Sequence, residues 1–67
     1  MINLIVNGTP HEHSGDGSVA ALLTELGANP EHAAVTINGD LVFSRDWKTF
    51  ALKDGDTVEV LTFVGGG

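Results

Sequence analysis

Alternating apolar and polar residues predict that the chain begins with a β-hairpin. In the predicted strand, residues 1–7, the apolar side chains at positions 2, 4 and 6 alternate with Asn3 and Asn7, and Ile5 interrupts the polar side. Asn7-Gly8 follows as a two-residue turn signal, because both residues tolerate a positive φ. The returning strand, residues 9–14, contains Pro10, which lacks an N–H and therefore predicts a strand at the edge of the sheet.

The apolar spacing then changes to that of a helix in residues 19–26. Four side chains form one helical stripe: Val19, Leu22, Leu23 and Leu26. Ser18 is the predicted N-cap, Gly27 the C-terminal stop, and Pro30 prevents continuation. Because a helix this short is unstable by itself, we expect the stripe to pack on a sheet.

The remaining strands follow the helix. Residues 33–38 predict a strand, Asn38-Gly39 a second hairpin turn, and residues 41–43 its short returning strand. Residues 53–56 form a turn rich in Asp and Gly. Residues 57–64 are the most strand-prone segment of the chain.

The predicted class is α+β, with a mixed sheet of four to five strands and one helix across one face. The loop 44–50 is expected to cover one edge of the core with Trp47 and Phe50. Placing the first and last strands side by side and parallel gives a β-grasp (ubiquitin-like) topology, which the pattern allows without selecting it. We expect one domain, residues 1–64, and a flexible tail, residues 65–67.

Charge and composition exclude several function classes. The net charge is −6 with only three Lys and Arg residues, too few to bind nucleic acid or an anionic membrane. The acidic surface suits a basic protein partner or simply maintains solubility. No apolar run approaches the ~20 residues of a membrane span. With no cysteine and no signal-peptide core, the chain is expected to be cytoplasmic.

No catalytic set is evident. The serines have no recognisable base and acid partners, and no phosphate-binding glycine motif is present. His11 and His13 lie on one face of a predicted strand, which can bind a metal, but the favoured interpretation is a pair of exposed edge-strand histidines without one. We therefore predict that the chain is not an enzyme, binds no cofactor and holds no metal.

The C-terminus carries the chemistry instead. Gly65, Gly66 and Gly67 lack Cβ atoms, so they can thread a narrow channel of a partner and present an unshielded α-carboxylate. An α-carboxyl group ordinarily has a pKa of about 3.5, so this one is an anion at neutral pH and must be activated before a nucleophile attacks it. The alternative is an end without function.

The last strand predicts a docking surface beside this tail. Its even-numbered residues are expected to face the helix, because the opposite phase would bury Glu59 without a partner. Leu61 and Phe63 then face outward, and Ile5 shares their face if the first strand lies alongside. The alternative is that Trp47, Phe43 or a second protomer covers them.

Across essentially its whole length the chain resembles the ThiS family of sulfur carriers, and more distantly MoaD and ubiquitin. The resemblance lies in the opening turn, the helix, the central hairpin, Trp47, the Asp-Gly-Asp turn with the valine strand after it, and the glycine end: residues 6–8, 19–23, 37–42, 52–60 and 63–67.

The resemblance implies a sulfur carrier of thiamin (thiazole) biosynthesis. A ThiF-like enzyme would use ATP to adenylate Gly67, and a cysteine desulfurase would supply the sulfur of a Gly67 thiocarboxylate for a ThiG-like thiazole synthase. Leu61, Phe63 and Ile5 would dock partners, with Gly65 and Gly66 as the flexible approach. Two alternatives stay open: a carrier of another pathway, such as MoaD-like molybdopterin synthesis, or a ubiquitin-like interaction or modifier module with no sulfur role.

Overall fold

The computed structural model describes residues 1–62, which form a single five-stranded sheet and one α-helix. The strands are β1 (Ile2–Val6), β2 (Thr9–His13), β3 (Ala33–Ile37), β4 (Asp40–Val42) and β5 (Thr57–Thr62), and helix α1 spans Val19–Leu26. The predictions about Phe63, the glycine tail and the boundary after residue 64 lie outside the described residues.

The sheet has the strand order β2-β1-β5-β3-β4. β1 and β5 run parallel at the centre, with Ile5 beside Thr57 and Val6 beside Val58, and the other neighbours are antiparallel. The prediction that the first and last strands lie side by side is confirmed. β2 is an edge strand, as the proline at position 10 predicted.

Both Asn-Gly pairs form the predicted hairpin turns. Asn7 has φ 50° and Gly8 has φ 82°, and Asn38 and Gly39 have φ 52° and 88°. Two successive positive φ values give a turn whose twist matches the strands it joins, and Asn is the side chain that tolerates this backbone best. The turns therefore fix the registers of β1 with β2 and of β3 with β4.

Helix α1 begins and ends where the sequence predicted. The Ser18 hydroxyl accepts a hydrogen bond from the Ala21 N–H at 3.1 Å, and Gly27 adopts the left-handed conformation that ends the helix. The stripe of α1 packs against one face of the sheet. Val19, Leu22 and Leu23 are buried, whereas Leu26 in the last turn is partly exposed.

Trp47 closes the core at the β4 edge. Its indole N–H donates a hydrogen bond to the Val42 carbonyl at 2.9 Å, and the side chain is buried. The loop 44–50, which includes a short 3-10 turn at Ser44–Asp46, is thereby held on the core, with Phe50 half-buried beside it. Within residues 1–62 no helix has the length and apolarity that a membrane crossing requires.

Candidate functional site

The phase of β5 is the one that the sequence predicted. Val58 and Val60 are buried under the helix, and Glu59 and Leu61 face the opposite side of the sheet. Leu61 is 61% exposed, a large fraction for a leucine within a strand. The same strand therefore contributes to the core and to an open surface with alternate residues.

Ile5 lies on the same open face as Leu61 but not next to it. Ile5 is paired with Thr57, four residues before Leu61 along β5, which separates the two side chains by about 13 Å at ~3.3 Å per residue. Ile5 is 37% exposed. Between them lies Glu59, whose carboxylate accepts a hydrogen bond from the Thr36 hydroxyl at 3.3 Å.

Leu41 is a third exposed apolar residue of this face, and the sequence analysis missed it. It pairs with Thr36, and the adjacent Val42 is buried with Val35, so Leu41 points away from the helix. The alternation of Leu41 with Val42 was the signal that could have identified it. We use the term outer face for the side of the sheet that bears Ile5, Leu41, Glu59 and Leu61.

Of the residues named as covering the outer face, Trp47 lies on the other side of the sheet, in the core. Phe43, at the end of β4, is 55% exposed, and the Arg45 guanidinium carbon lies 5.3 Å from its ring centroid. Neither aromatic residue buries Leu61.

The acidic turn before β5 has a structural role. Asp56 accepts a hydrogen bond from the Lys53 N–H at 2.9 Å and another from the Asn38 amide at 3.0 Å. Asp54 accepts one from the Asn3 N–H at 2.8 Å, which ties the turn to β1. Both carboxylates are thus engaged in holding the start of β5.

The interpretation of His11 and His13 as an exposed pair is wrong. The hairpin register places His11 opposite Leu4 and His13 opposite Ile2, so both imidazoles are on the helix side of the sheet. His13 is completely buried, and the His11 side chain is 26% exposed. A pair on that side meets the helix rather than solvent.

Glu25 of α1 lies between the two imidazoles. Its Oε1 is 2.6 Å from His11 Nε2, and its Oε2 is 3.2 Å from His13 Nδ1. The Ser14 N–H and hydroxyl also donate to Oε2, both at 3.2 Å. The hydrogen bond with His11 is the main cause that lowers the pKa of Glu25 to about 2, and the nearby His13 and the hydrogen bond from Ser14 contribute less.

The ring of His13 is oriented from its other side. The Gly17 N–H donates to His13 Nε2 at 3.1 Å, so in the neutral ring the proton is on Nδ1, facing Glu25. Residue 15 must be glycine here, because a Cβ would lie 2.7 Å from His13 Cε1. Within residues 1–62 no group of three or more His, Cys, Asp or Glu is arranged to hold a metal ion. The contacts of Glu25 with His11 and His13 therefore join α1 to β2.

Two solved structures share this architecture. The chain aligns with the crystal structure of the thiamine biosynthesis protein ThiS from Geobacter metallireducens with a TM-score of 0.80 and 39% identity, over 98% of this chain and 100% of that one. The solution structure of a thiamine biosynthesis protein from the same organism gives 0.77 and 39%, over 98% and 88%. The predicted β-grasp fold is confirmed.

Sequence comparison finds relatives of two kinds, one about as long as this chain and one much longer. An uncharacterized protein of Porphyra purpurea, ycf40, is 38% identical over 66 residues, which cover 98% of this chain and 93% of that protein. A thiazole synthase of Paramagnetospirillum magneticum is 36% identical over 66 residues, but this chain spans only 20% of its length. The ThiS family model matches residues 4–67. The chain therefore belongs to the ThiS family.

Proposed function

We propose that the chain is a sulfur carrier for thiazole formation in thiamin biosynthesis and that Gly67 carries the sulfur. The observation that supports this most directly is that one segment of the chain contains both an exposed apolar strand residue and the glycine run. β5 of a ThiS-family fold exposes Leu61 on the outer face, and six residues later the sequence ends in Gly65-Gly66-Gly67. The protein would dock through the strand and react through its end.

The chemistry follows from the carboxylate of Gly67. One of its oxygens attacks the α-phosphorus of ATP on an activating enzyme, and pyrophosphate leaves. The terminal sulfur of a persulfide, formed by a cysteine desulfurase, attacks the acyl carbon of the adenylate, and AMP leaves. A second thiol then cleaves the acyl disulfide, which yields a thiocarboxylate and leaves a disulfide on the partner machinery.

The proposed acceptor is a ThiG-like thiazole synthase. Proteins named thiazole synthase from Paramagnetospirillum magneticum and Magnetococcus marinus each contain a segment 36% identical to this chain, which spans about a fifth of their length. A carrier and an acceptor that share one chain have a high effective concentration for each other. The presence of a similar segment within these thiazole synthases supports the same pairing for this chain.

The proposed docking residues for the ThiF-like activating enzyme are Leu61, Ile5 and Phe63. Leu61 and Ile5 lie on the outer face, in positions where a polar residue would leave the core unchanged. Glu59 lies on the same face, in β5 between Leu61 and the neighbour of Ile5, Thr57, and would meet a basic residue of the partner.

Intact-protein mass spectrometry tests the function. The chain is incubated with a ThiF-type activating enzyme, ATP, a cysteine desulfurase, cysteine and a reducing thiol. We expect a mass gain equal to the replacement of one oxygen by one sulfur, mapped to Gly67, and none in the variant that lacks Gly67. No gain, with the enzyme active on its own carrier, would reject the function in favour of another pathway's carrier or an interaction module with an inert tail.

A pair of charge substitutions tests the docking residues. Leu61→Asp is compared with Leu41→Asp, since the two leucines are similarly exposed, at 61% and 57%, on the same face. We expect the first to weaken binding to the activating enzyme by about tenfold or more and the second by much less. Equal effects would mean that the contact is not centred on β5.

A further inference from the structure

The pairing of β1 with β5 stops before β5 ends. The Ile5 N–H donates to the Asp56 carbonyl at 3.0 Å, and the Asn7 N–H donates to the Val58 carbonyl at 2.9 Å. In an evenly spaced parallel ladder the next two bonds would join Val60 to the main chain of residues 7 and 9. The chain instead turns away at Asn7, where φ is 50°.

The side chain of Asn7 makes both of those bonds. The Val60 N–H donates to Asn7 Oδ1 at 2.8 Å, and Asn7 Nδ2 donates to the Val60 carbonyl at 3.2 Å. A carboxamide has the acceptor and the donor of a peptide unit, so the side chain extends the ladder by one unit after the backbone has left it.

Val60 directly precedes Leu61, the exposed residue to which docking is assigned. On its other side, β5 is held there by the antiparallel register of Val60 with Val35 and of Leu61 with Ala34. Without the Asn7 amide, the strand would be held from one side only after Val58, where a strand end frays readily.

We infer that Asn7 is a positioning residue for partner docking, because its amide clamps β5 at Val60 and thereby fixes Leu61 on the outer face. This inference rests on the proposed function. Asn7 need not touch the partner, because it acts through β5, the strand to which the partner would bind.

The other turn asparagine provides a matched control. Asn38 also has a positive φ, 52°, and its amide accepts from the Thr57 N–H at 2.9 Å and donates to the Asp56 carboxylate at 3.0 Å. It clamps the start of β5, three residues before Val60. The two asparagines therefore occupy the same position of the same kind of turn, and each carboxamide makes two hydrogen bonds. Asn7 bonds both main-chain groups of Val60, whereas Asn38 bonds the main-chain N–H of Thr57 and the side chain of Asp56 at the start of the strand.

Glycine is the substitution that separates the clamp from the turn. Asn7→Gly and Asn38→Gly both keep a residue that adopts positive φ without strain, and each removes one carboxamide with its two hydrogen bonds. Asn7→Asp adds an intermediate case, because it keeps an acceptor for the Val60 N–H but places a carboxylate against the Val60 carbonyl.

The experiment measures adenylation by a ThiF-type enzyme and amide hydrogen exchange by NMR on the same variants. We expect Asn7→Gly to raise the KM for the carrier about fivefold to tenfold, with kcat within about twofold, because docking rather than chemistry is affected. Asn7→Asp should show a smaller rise, because it keeps the acceptor for the Val60 N–H. Asn38→Gly should leave KM within about twofold despite a similar loss of thermal stability.

Exchange identifies the step that fails. The Val60 amide should exchange faster in Asn7→Gly relative to the other β5 amides, and not in Asn38→Gly. An unchanged KM for Asn7→Gly, an equal rise for Asn38→Gly, or unaltered exchange at Val60 would each overturn the inference while leaving the sulfur-carrier function intact. If the wild-type chain is not adenylated at all, the proposed function fails and the docking role of Asn7 fails with it.

Discussion

The two faces of the sheet differ although the same strands build both. The inner face lies under α1 and Trp47 and buries its apolar side chains: Leu4, Val6, Val35, Ile37, Val42, Val58 and Val60. The outer face leaves Ile5, Leu41 and Leu61 exposed. One helix is enough to cover one face of a domain this small, and within residues 1–62 no helix or strand packs on the other face. Substitution effects should therefore alternate along each strand.

The largest difference is expected between neighbouring residues of β5. Val60→Asp would bury a carboxylate without a partner. We expect the free energy of unfolding to fall by about 3–5 kcal/mol, which is enough to leave most molecules of a domain this small unfolded. Leu61→Asp, one residue later, should change the free energy of unfolding by no more than about 0.5 kcal/mol.

Urea denaturation followed by circular dichroism measures both variants. If Leu61→Asp also unfolds the chain, the outer face is part of the core and the division between the two faces is wrong. If Val60→Asp is tolerated, β5 shifts its register more easily than its pairing with β3 indicates.

Trp47 tests how firmly the inner face is closed at the β4 edge. Trp47→Phe removes the buried indole N–H and leaves the Val42 carbonyl without that donor, so we expect a loss of about 2 kcal/mol. Because Trp47 is the single tryptophan, circular dichroism replaces fluorescence as the probe. Phe43→Leu, at an exposed aromatic residue, is the control and should stay within about 0.5 kcal/mol.

Acid should weaken the inner face at its β2 edge. The pKa of Glu25 is lowered from its ordinary value of 4.5 to about 2, so the stabilisation from its ionised form is complete above about pH 4.5 and is lost as the pH falls toward 2. Chemical denaturation between pH 5 and about pH 2 should show this slope. Glu25→Gln should flatten it, whereas Glu59→Gln on the outer face should retain it. Equal slopes in all three proteins would contradict the role of Glu25.

The smallest loss of stability is expected at Ile5, the residue of β1 that lies on the outer face. Ile5→Thr should cost less than about 1 kcal/mol, because Ile5 is already 37% exposed. Val6→Thr places a hydroxyl in the core and should cost about 1–3 kcal/mol. Thermal melts of the two variants compare these two losses of stability. A larger loss for Ile5→Thr would place β1 in the opposite phase.

The sequence was sufficient where a local rule determined the structure. Both Asn-Gly turns, the caps of α1 and the phase of β5 follow from backbone sterics, from capping and from the high free energy of a buried Glu59. The parallel pairing of β1 with β5 needed more, because alternation allows several strand orders and none of them is selected by sequence-local forces.

The burial of His13 was predictable from the hairpin register. The turn at Asn7-Gly8 fixes the hairpin register, and that register places His13 opposite Ile2 on the covered face. The polar composition of β2 concealed this, since it lacks an apolar stripe. The position of Glu25 between the imidazoles depends on how α1 crosses the sheet, which no spacing reveals.

Asn7 was predictable as a turn residue and not as a clamp. Its positive φ already accounts for an asparagine before glycine, so the sequence offers no reason to look for a second role. The contact with Val60 joins residues 53 positions apart, and it appears only once the sheet is assembled.

The central pairing of β1 with β5 has a consequence for synthesis on the ribosome. A nascent chain that has exposed residues 1–56 holds the helix and four strands but lacks the strand that separates β1 from β3. We expect folding to await β5, because the contacts that join the two halves of the sheet through this strand are among the longest in sequence. A chain that terminates before β5 would thus remain unfolded and open to proteolysis. Only molecules whose synthesis has continued through β5 would then accumulate in folded form.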